Sequence, residues 1–361
     1  MHGRPGPRFS MTLSSICVVV ALSGAWLVTG CAQSKREPAA TAQQSQQPSS
    51  SPSSSSSRPR RALENENSAT QTANANSNGN TDTLRGTEAN KESGAGKETT
   101  PVFFDLALER ALAGRGATLD NLCDGTDAVS RRVLEEYGAM FVASSSVTPP
   151  PVCVFKNEAD VLKFQNETKP AAAIIKGTRI ELQPAAMQAL QAAREEAQGL
   201  GLDITPRGGS EAARRSYNDT LRLWNSRFLP ALTYWKGRGR LSDEQVARLK
   251  KAALGEQVRE VLELEKKGIF FSKDLSKSIL YSVAAPGTSQ HLSMLALDVS
   301  QYVDARVRRI LAAHGWFQTV KSDQPHFTYL GVEEKDLPAL GLRRVTVNGQ
   351  VFWIPNIQEK G

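Results

Sequence analysis

Apolar and polar positions change rhythm at about residue 100. Beyond it, short stretches follow either the period of a helix or the alternation of a strand. Helical spacing predicts helices over 104–113 and 127–137, and short apolar runs predict strands over 140–143, 152–155 and 172–175. Pro184 opens a helix over 185–198 that Gly199 and Gly201 end, a strand is expected over 202–205, and another helix over 211–228. Ser242 with Gln245 three residues on forms a capping box, and Gly268 closes a helix that runs through 258–264. Residues 220–285 therefore read as mainly helical.

Further on, Leu295, Leu297 and Val299 alternate with Ala296 and Asp298, as in a half-buried strand. Residues 306–313 form an amphipathic helix ended by Gly315, and Phe327 and Tyr329 resume the alternation. Residues 344–354 read as a hairpin turning on Asn348-Gly349. The pattern predicts an α+β fold, a small antiparallel sheet flanked by helices.

The first hundred residues carry another message. Arg4 and Arg8 precede an apolar run over 11–28, and small Gly30 stands before Cys31. This layout of residues 1–31 is that of a signal peptide and resembles a bacterial lipobox, which implies acylation of Cys31. Ala32 after the cysteine favours the outer membrane, facing the periplasm. Residues 32–100 are rich in Ser, Gln and Asn and hold the run S-P-S-S-S-S-S, with too little apolar surface to offset ordering. They read as a disordered tether; about 70 residues of this kind reach roughly 45 Å. Residues 101–361 are expected to form one domain.

Composition narrows the partners. With 44 Lys and Arg against 37 Asp and Glu, the net charge is +7 and the chain suits polyanions such as cell-wall polymers or acidic head groups. Export and the lack of a basic motif interleaved with aromatics set nucleic acid aside. Of the four cysteines, Cys17 leaves with the signal peptide and Cys31 takes lipid, leaving Cys123 and Cys153. In an oxidising compartment these two either pair or stay as buried thiols.

The chain has four histidines, and His2 lies in the segment expected to be removed. His291 and His326 fall in S-Q-H-L-S-M-L-A-L-D and D-Q-P-H-F, the first of which ends in Asp298. Two imidazoles and a carboxylate suit a catalytic zinc ion with one position left for water. The step of seven from His291 to Asp298 would also share a helix face, but Val299 and the upstream Pro286-Gly287 favour turn and strand. No lysine has a serine three before it, and neither G-x-S-x-G nor H-E-x-x-H occurs, so serine and zincin-type sites are not offered. His314 sits at a helix end, where its ring can cap carbonyls or favour the dipole.

Taken together, S-x-H and A-x-D over 289–298, Asp323 three before His326, and H-F-x-Y-x-G over 326–331 resemble the LAS family of zinc peptidases. That family is named for lysostaphin, D-alanyl-D-alanine carboxypeptidases and the hedgehog signalling domain. L-Q-P-A-A-M-Q-A-L over 182–190 and R-R-S-Y over 214–217 extend the likeness to 182–331. The resemblance implies that His291, Asp298 and His326 bind Zn2+, that Asp323 is the general base, that Arg215 grips a substrate carboxylate and that Ser289 lines the site. It implies peptidoglycan stem peptides as substrate, cut by a D-alanyl-D-alanine carboxypeptidase. Asp-x-Pro-His looks more like the L-alanyl-D-glutamate endopeptidase branch, and a wall-binding lipoprotein without turnover is the non-enzymatic alternative. This chain departs from the pattern at Met294, where the family has glycine, at Arg214, where it has tyrosine, and over 220–285, which read as a helical insertion.

Overall fold

The computed structural model describes residues 102–124 and 127–357; the export signal, Cys31 and the tether lie outside them. Two short helices, α1 (Phe104–Ala113) and α2 (Leu119–Leu122), come first, followed by α3 (Ala128–Tyr137) and α4 (Glu158–Glu167). Asp127 caps α3 through Ser130 N–H, and Asn157 caps α4 through Asp160 N–H. A disulfide joins Cys123 to Cys153, with Cα atoms 5.4 Å apart.

The fold is mixed α+β with small antiparallel sheets. Strands β1 (Ala171–Ile175) and β2 (Thr178–Leu182) form a hairpin that turns on Lys176 and Gly177, both at positive φ. Pro184 opens α5 (Pro184–Gly199) as its sequence signals. The central sheet has the order β3-β5-β4, with β3 (Ala296–Asp298), β4 (Trp316–Phe317) and β5 (His326–Tyr329) all antiparallel. Helix α9 (Ala305–Ala313) packs on α5 and β4. The last hairpin, β6 (Leu342–Val347) with β7 (Gln350–Pro355), turns on Asn348-Gly349 as expected, and the main core fills the space between these helices and sheets.

Between α5 and β3 run α6 (Tyr217–Gly237), α7 (Asp243–Lys251) and α8 (Leu254–Lys266). Trp224, Phe228 and Phe271 stack at 6.2 and 6.1 Å, and Trp224 Nε1 donates to Gln257 Oε1 at 2.8 Å. This gives the segment 220–285 apolar packing of its own. The helical reading of that segment holds as far as Lys266; beyond it the chain is irregular apart from a 3-10 turn at Ile279–Tyr281.

Several expectations are corrected. Residues 140–143 lie in a 3-10 turn, Gly138–Val142, that continues α3 and is buried throughout. The carbonyls of Phe141 and Ala143 are taken up by Arg115 at 2.6 Å each, so a side chain replaces the strand neighbour. Residues 152–155 bend without pairing, held by the disulfide and by hydrogen bonds from Cys153 N–H to Leu122 and from Phe155 N–H to Gly287. Residues 202–205 are not a strand either. Arg194 takes the Ile204 carbonyl, and Pro206, which has no N–H, makes only an isolated bridge to Val299. Helix α6 starts at Tyr217 rather than 211 because Ser216 and Asp219 form a capping box, and it runs on through Pro230. Helices α2 and α4 and strand β2 were not expected from the pattern. Among the described residues no helix is long and apolar enough to cross a membrane.

Candidate metal centre

The turn at Pro286-Gly287 brings the chain into the site. Gly287 has φ +80°, and a Cβ there would lie 2.1 Å from the Phe155 carbonyl oxygen. Its own carbonyl accepts Phe155 N–H at 2.9 Å, and its N–H donates to Thr220 Oγ1 at 3.2 Å. Only glycine fits this crossing of two backbones. A 3-10 turn, Gln290–Ser293, then buries Gln290 and His291, and Met294 reverses the chain into β3 at φ +57°. That left-handed position explains why glycine would suit it; Met294 carries the strain and buries its whole side chain. Gln183, in the upstream L-Q-P segment, stitches the reversal down by donating its side-chain amide to Ser293 O and its backbone N–H to Met294 O.

Antiparallel pairing does the rest. Asp298 on β3 stands directly across from His326 on β5, and His291 reaches the same point from the turn. His291 Nε2 lies 3.1 Å from His326 Nδ1 and 3.4 Å from Asp298 Oδ1, and His326 Nδ1 lies 3.3 Å from that same oxygen. Atoms bound about 2.0–2.1 Å from a tetrahedral ion stand about 3.3–3.4 Å apart. The three donors therefore form one face of a tetrahedron, and the group could hold a metal ion.

Hydrogen bonds fix which nitrogen of His326 is free. Gln290 gives its NH2 to the Tyr137 carbonyl at 2.8 Å, so its oxygen faces His326 Nε2 at 2.7 Å and also accepts the Thr328 hydroxyl at 2.5 Å. An amide oxygen only accepts, so Nε2 carries the proton and the Nδ1 lone pair points to the triad. Asp298 is oriented as well, since its Oδ2 accepts from Arg215 Nη2 at 2.9 Å. Partners of this kind set ligand tautomer and direction at metal sites. His291 Nδ1 is buried and, among the described residues, has no hydrogen-bond partner.

Charge favours cation binding too. Burial, helped by the Arg215 charge and opposed by Asp298, pushes His291 down to about 4, so its ring is neutral at pH 7. Burial alone would raise Asp298, but at the acid pH where a carboxyl titrates the neighbouring imidazoles His291 and His326 can carry charge and donate to it, and this outweighs burial and holds the carboxyl well below the usual range. At neutral pH the site presents the uncharged His291 ring and the Asp298 carboxylate, with His326 Nδ1 turned towards both.

A cleft of about 320 Å³ opens beside the histidines, and Arg215, Ser289 and Asp323 line it with them. Other lining residues, among them Thr220, Arg227 and Tyr281, come from the 220–285 segment. Asp323 is exposed to the cleft solvent but crowded by protein, and burial raises its carboxyl above the ordinary value. Asp298 adds to that rise, and His326, Arg215 and Arg207 oppose it.

The remaining candidates sit elsewhere. Arg214 turns to Gln165 and Glu181 and has no place in the cleft. His314 is at the end of α9 as expected, but its ring pairs with Glu196 at 2.8 Å instead of capping carbonyls. Gln290 lies within S-Q-H, where nothing in its spacing marks a role. Thr328 could have been found, since it follows His326 by two on one strand face. Compared with the models of known families, with curated proteins and with solved structures, the chain matches none.

Proposed function

We propose that this chain is a zinc-dependent peptidase of peptidoglycan stem peptides, acting as a D-alanyl-D-alanine carboxypeptidase of the LAS type. The observation that carries the reading is the donor triangle, with edges of 3.1 to 3.4 Å and a tautomer set by Gln290. Two nitrogens and one oxygen suit zinc better than calcium or magnesium, which prefer oxygen. Bound zinc would polarise the scissile carbonyl and lower the pKa of water. His291, Asp298 and His326 would hold it, and Arg215 keeps the Asp298 carboxylate aimed. Asp323 takes a proton from the attacking water and returns it to the leaving amine. Its raised pKa suits that return step.

The sequence patterns at residues 1–31 and 32–100 support export, with Cys31 lipidated and the domain tethered at the outer membrane. The Cys123–Cys153 disulfide agrees with an oxidising compartment. Asp323-x-Pro325-His326 keeps the L-alanyl-D-glutamate endopeptidase as a second reading. Mass spectrometry of muropeptides incubated with the purified chain separates the two by the bond cut. We expect one zinc per chain, loss of terminal D-alanine from a pentapeptide stem, and no loss with Asp323→Ala. His291→Ala and His326→Ala should each empty the site, and His314→Ala should not. Binding of peptidoglycan at full zinc occupancy without any product would overturn the enzyme reading in favour of a binding lipoprotein.

A further inference from the structure

The cleft beside the histidines holds two guanidinium groups that the protein occupies in different ways. Arg215 is spent on the protein itself, with Nε on the Glu211 carbonyl at 3.1 Å and Nη2 on Asp298 at 2.9 Å. Arg227, on α6, is held only by neutral groups. Its Nε donates to Ser282 Oγ at 3.0 Å and its Nη1 to Ser226 Oγ at 2.9 Å. Among the described residues Nη2 makes no hydrogen bond and no carboxylate pairs with Arg227. Two serine hydroxyls thus aim this half-buried guanidinium without neutralising it. Among the described residues the only acidic side chain lining the cleft is Asp323, which the proposed chemistry uses.

A fixed, uncompensated guanidinium in a cleft recruits a planar anion, and a carboxylate matches its fork. We propose that Arg227 binds the C-terminal carboxylate of a peptide whose scissile bond lies at His291 and His326. The identity of the ligand as a peptide end rests on the peptidase reading; the anion site itself rests on Arg227 and the two serines. The 220–285 segment would then be the part of the chain that selects for a chain end, which favours carboxypeptidase over endopeptidase action. The carboxylate grip that family resemblance assigns to Arg215 falls instead to an arginine outside the shared motifs.

The test uses the zinc-loaded full chain and two probes, N-acetyl-D-alanyl-D-alanine and its C-terminal amide. Affinity is measured by calorimetry, and hydrolysis is followed in the same samples. The wild type should bind the free acid about 10- to 100-fold more tightly than the amide, the range that charge-assisted hydrogen bonds give. Arg227→Gln should abolish that preference and Arg227→Lys should restore part of it, with one zinc retained in both as the check on folding. Equal binding of acid and amide by the wild type, binding of neither, or a preference that survives Arg227→Gln would each overturn the proposal. An Arg227-dependent preference without hydrolysis would leave the anion site standing and remove the peptidase reading. Hydrolysis with no dependence on Arg227 would do the reverse.

Discussion

His291 has two ring nitrogens in different surroundings: Nε2 meets Asp298 and His326, and Nδ1 is buried without a partner among the described residues. Burial, with the Arg215 charge behind it and Asp298 against it, resists a second proton on this ring and pushes it down to about 4 from its ordinary 6.5. In the unfolded chain the same ring takes a proton near its ordinary value. Between these values the unfolded state binds more protons, so stability is complete above about pH 6.5 and drains away as pH falls towards 4. The loss from this residue is on the order of 3 kcal/mol. Asp298 extends the acid lability below its ordinary value of 3.8, because its folded carboxyl is depressed. Asp323 acts in the opposite sense, its stabilisation fading as pH rises through its elevated value. Urea unfolding of metal-free protein from pH 7.5 to 4.5 should therefore show falling stability, and His291→Gln should flatten the slope. A wild-type curve that is flat over that window would refute the account.

At the level of elements, the site depends on one turn and one strand pair, and the two differ in how far they can be read from sequence. Alternation around Leu295 and Phe327 announces β3 and β5, and Asp298 and His326 follow from their place in that alternation. The two predicted strands at 140–143 and 152–155 fail because an apolar run signals burial, not pairing. One run is capped by Arg115 and the other is pinned by a disulfide, and these are contacts across long stretches of chain. Gln290 escaped notice for the same reason, since its role depends on Tyr137 on α3, far away in sequence. The Pro286-Gly287 turn was readable as a turn, but the approach of Phe155 behind it was not. That approach makes a sharp prediction. Gly287→Ala combines positive φ with a Cβ placed on the Phe155 oxygen and should cost about 3 kcal/mol or more, displacing Ser289 and His291 and lowering zinc occupancy. Gly177→Ala has φ +79° but open space around it, and should cost only about 1 kcal/mol with zinc retained. Equal denaturation midpoints for the two variants would show that the steric argument is wrong.

Across the whole molecule, the contact that supports the Gly287 turn is itself tied down by the disulfide. Phe155, whose N–H meets Gly287, follows Cys153 by two residues, and Cys153 is bonded to Cys123 at the end of α2. The bridge spans 30 residues of sequence and so limits the unfolded ensemble; chain-entropy arithmetic for a loop of that size gives roughly 3.5 kcal/mol. Both cysteines are almost fully buried, at 3 % and 4 % exposure, so a Cys123→Ala, Cys153→Ala pair adds only a small packing loss. The double variant should unfold at lower temperature than the wild type by an amount that reductant reproduces in the wild type. The folded remainder should still take up one zinc per chain, because His291, Asp298 and His326 are positioned by β3, β5 and Gln290 as well as by the turn. If removal of the bridge left the melting temperature unchanged, the clamp on this end of the domain would be α2 packing alone. If it emptied the proposed zinc site in protein that is still folded, the sheet would not be sufficient to hold the triad.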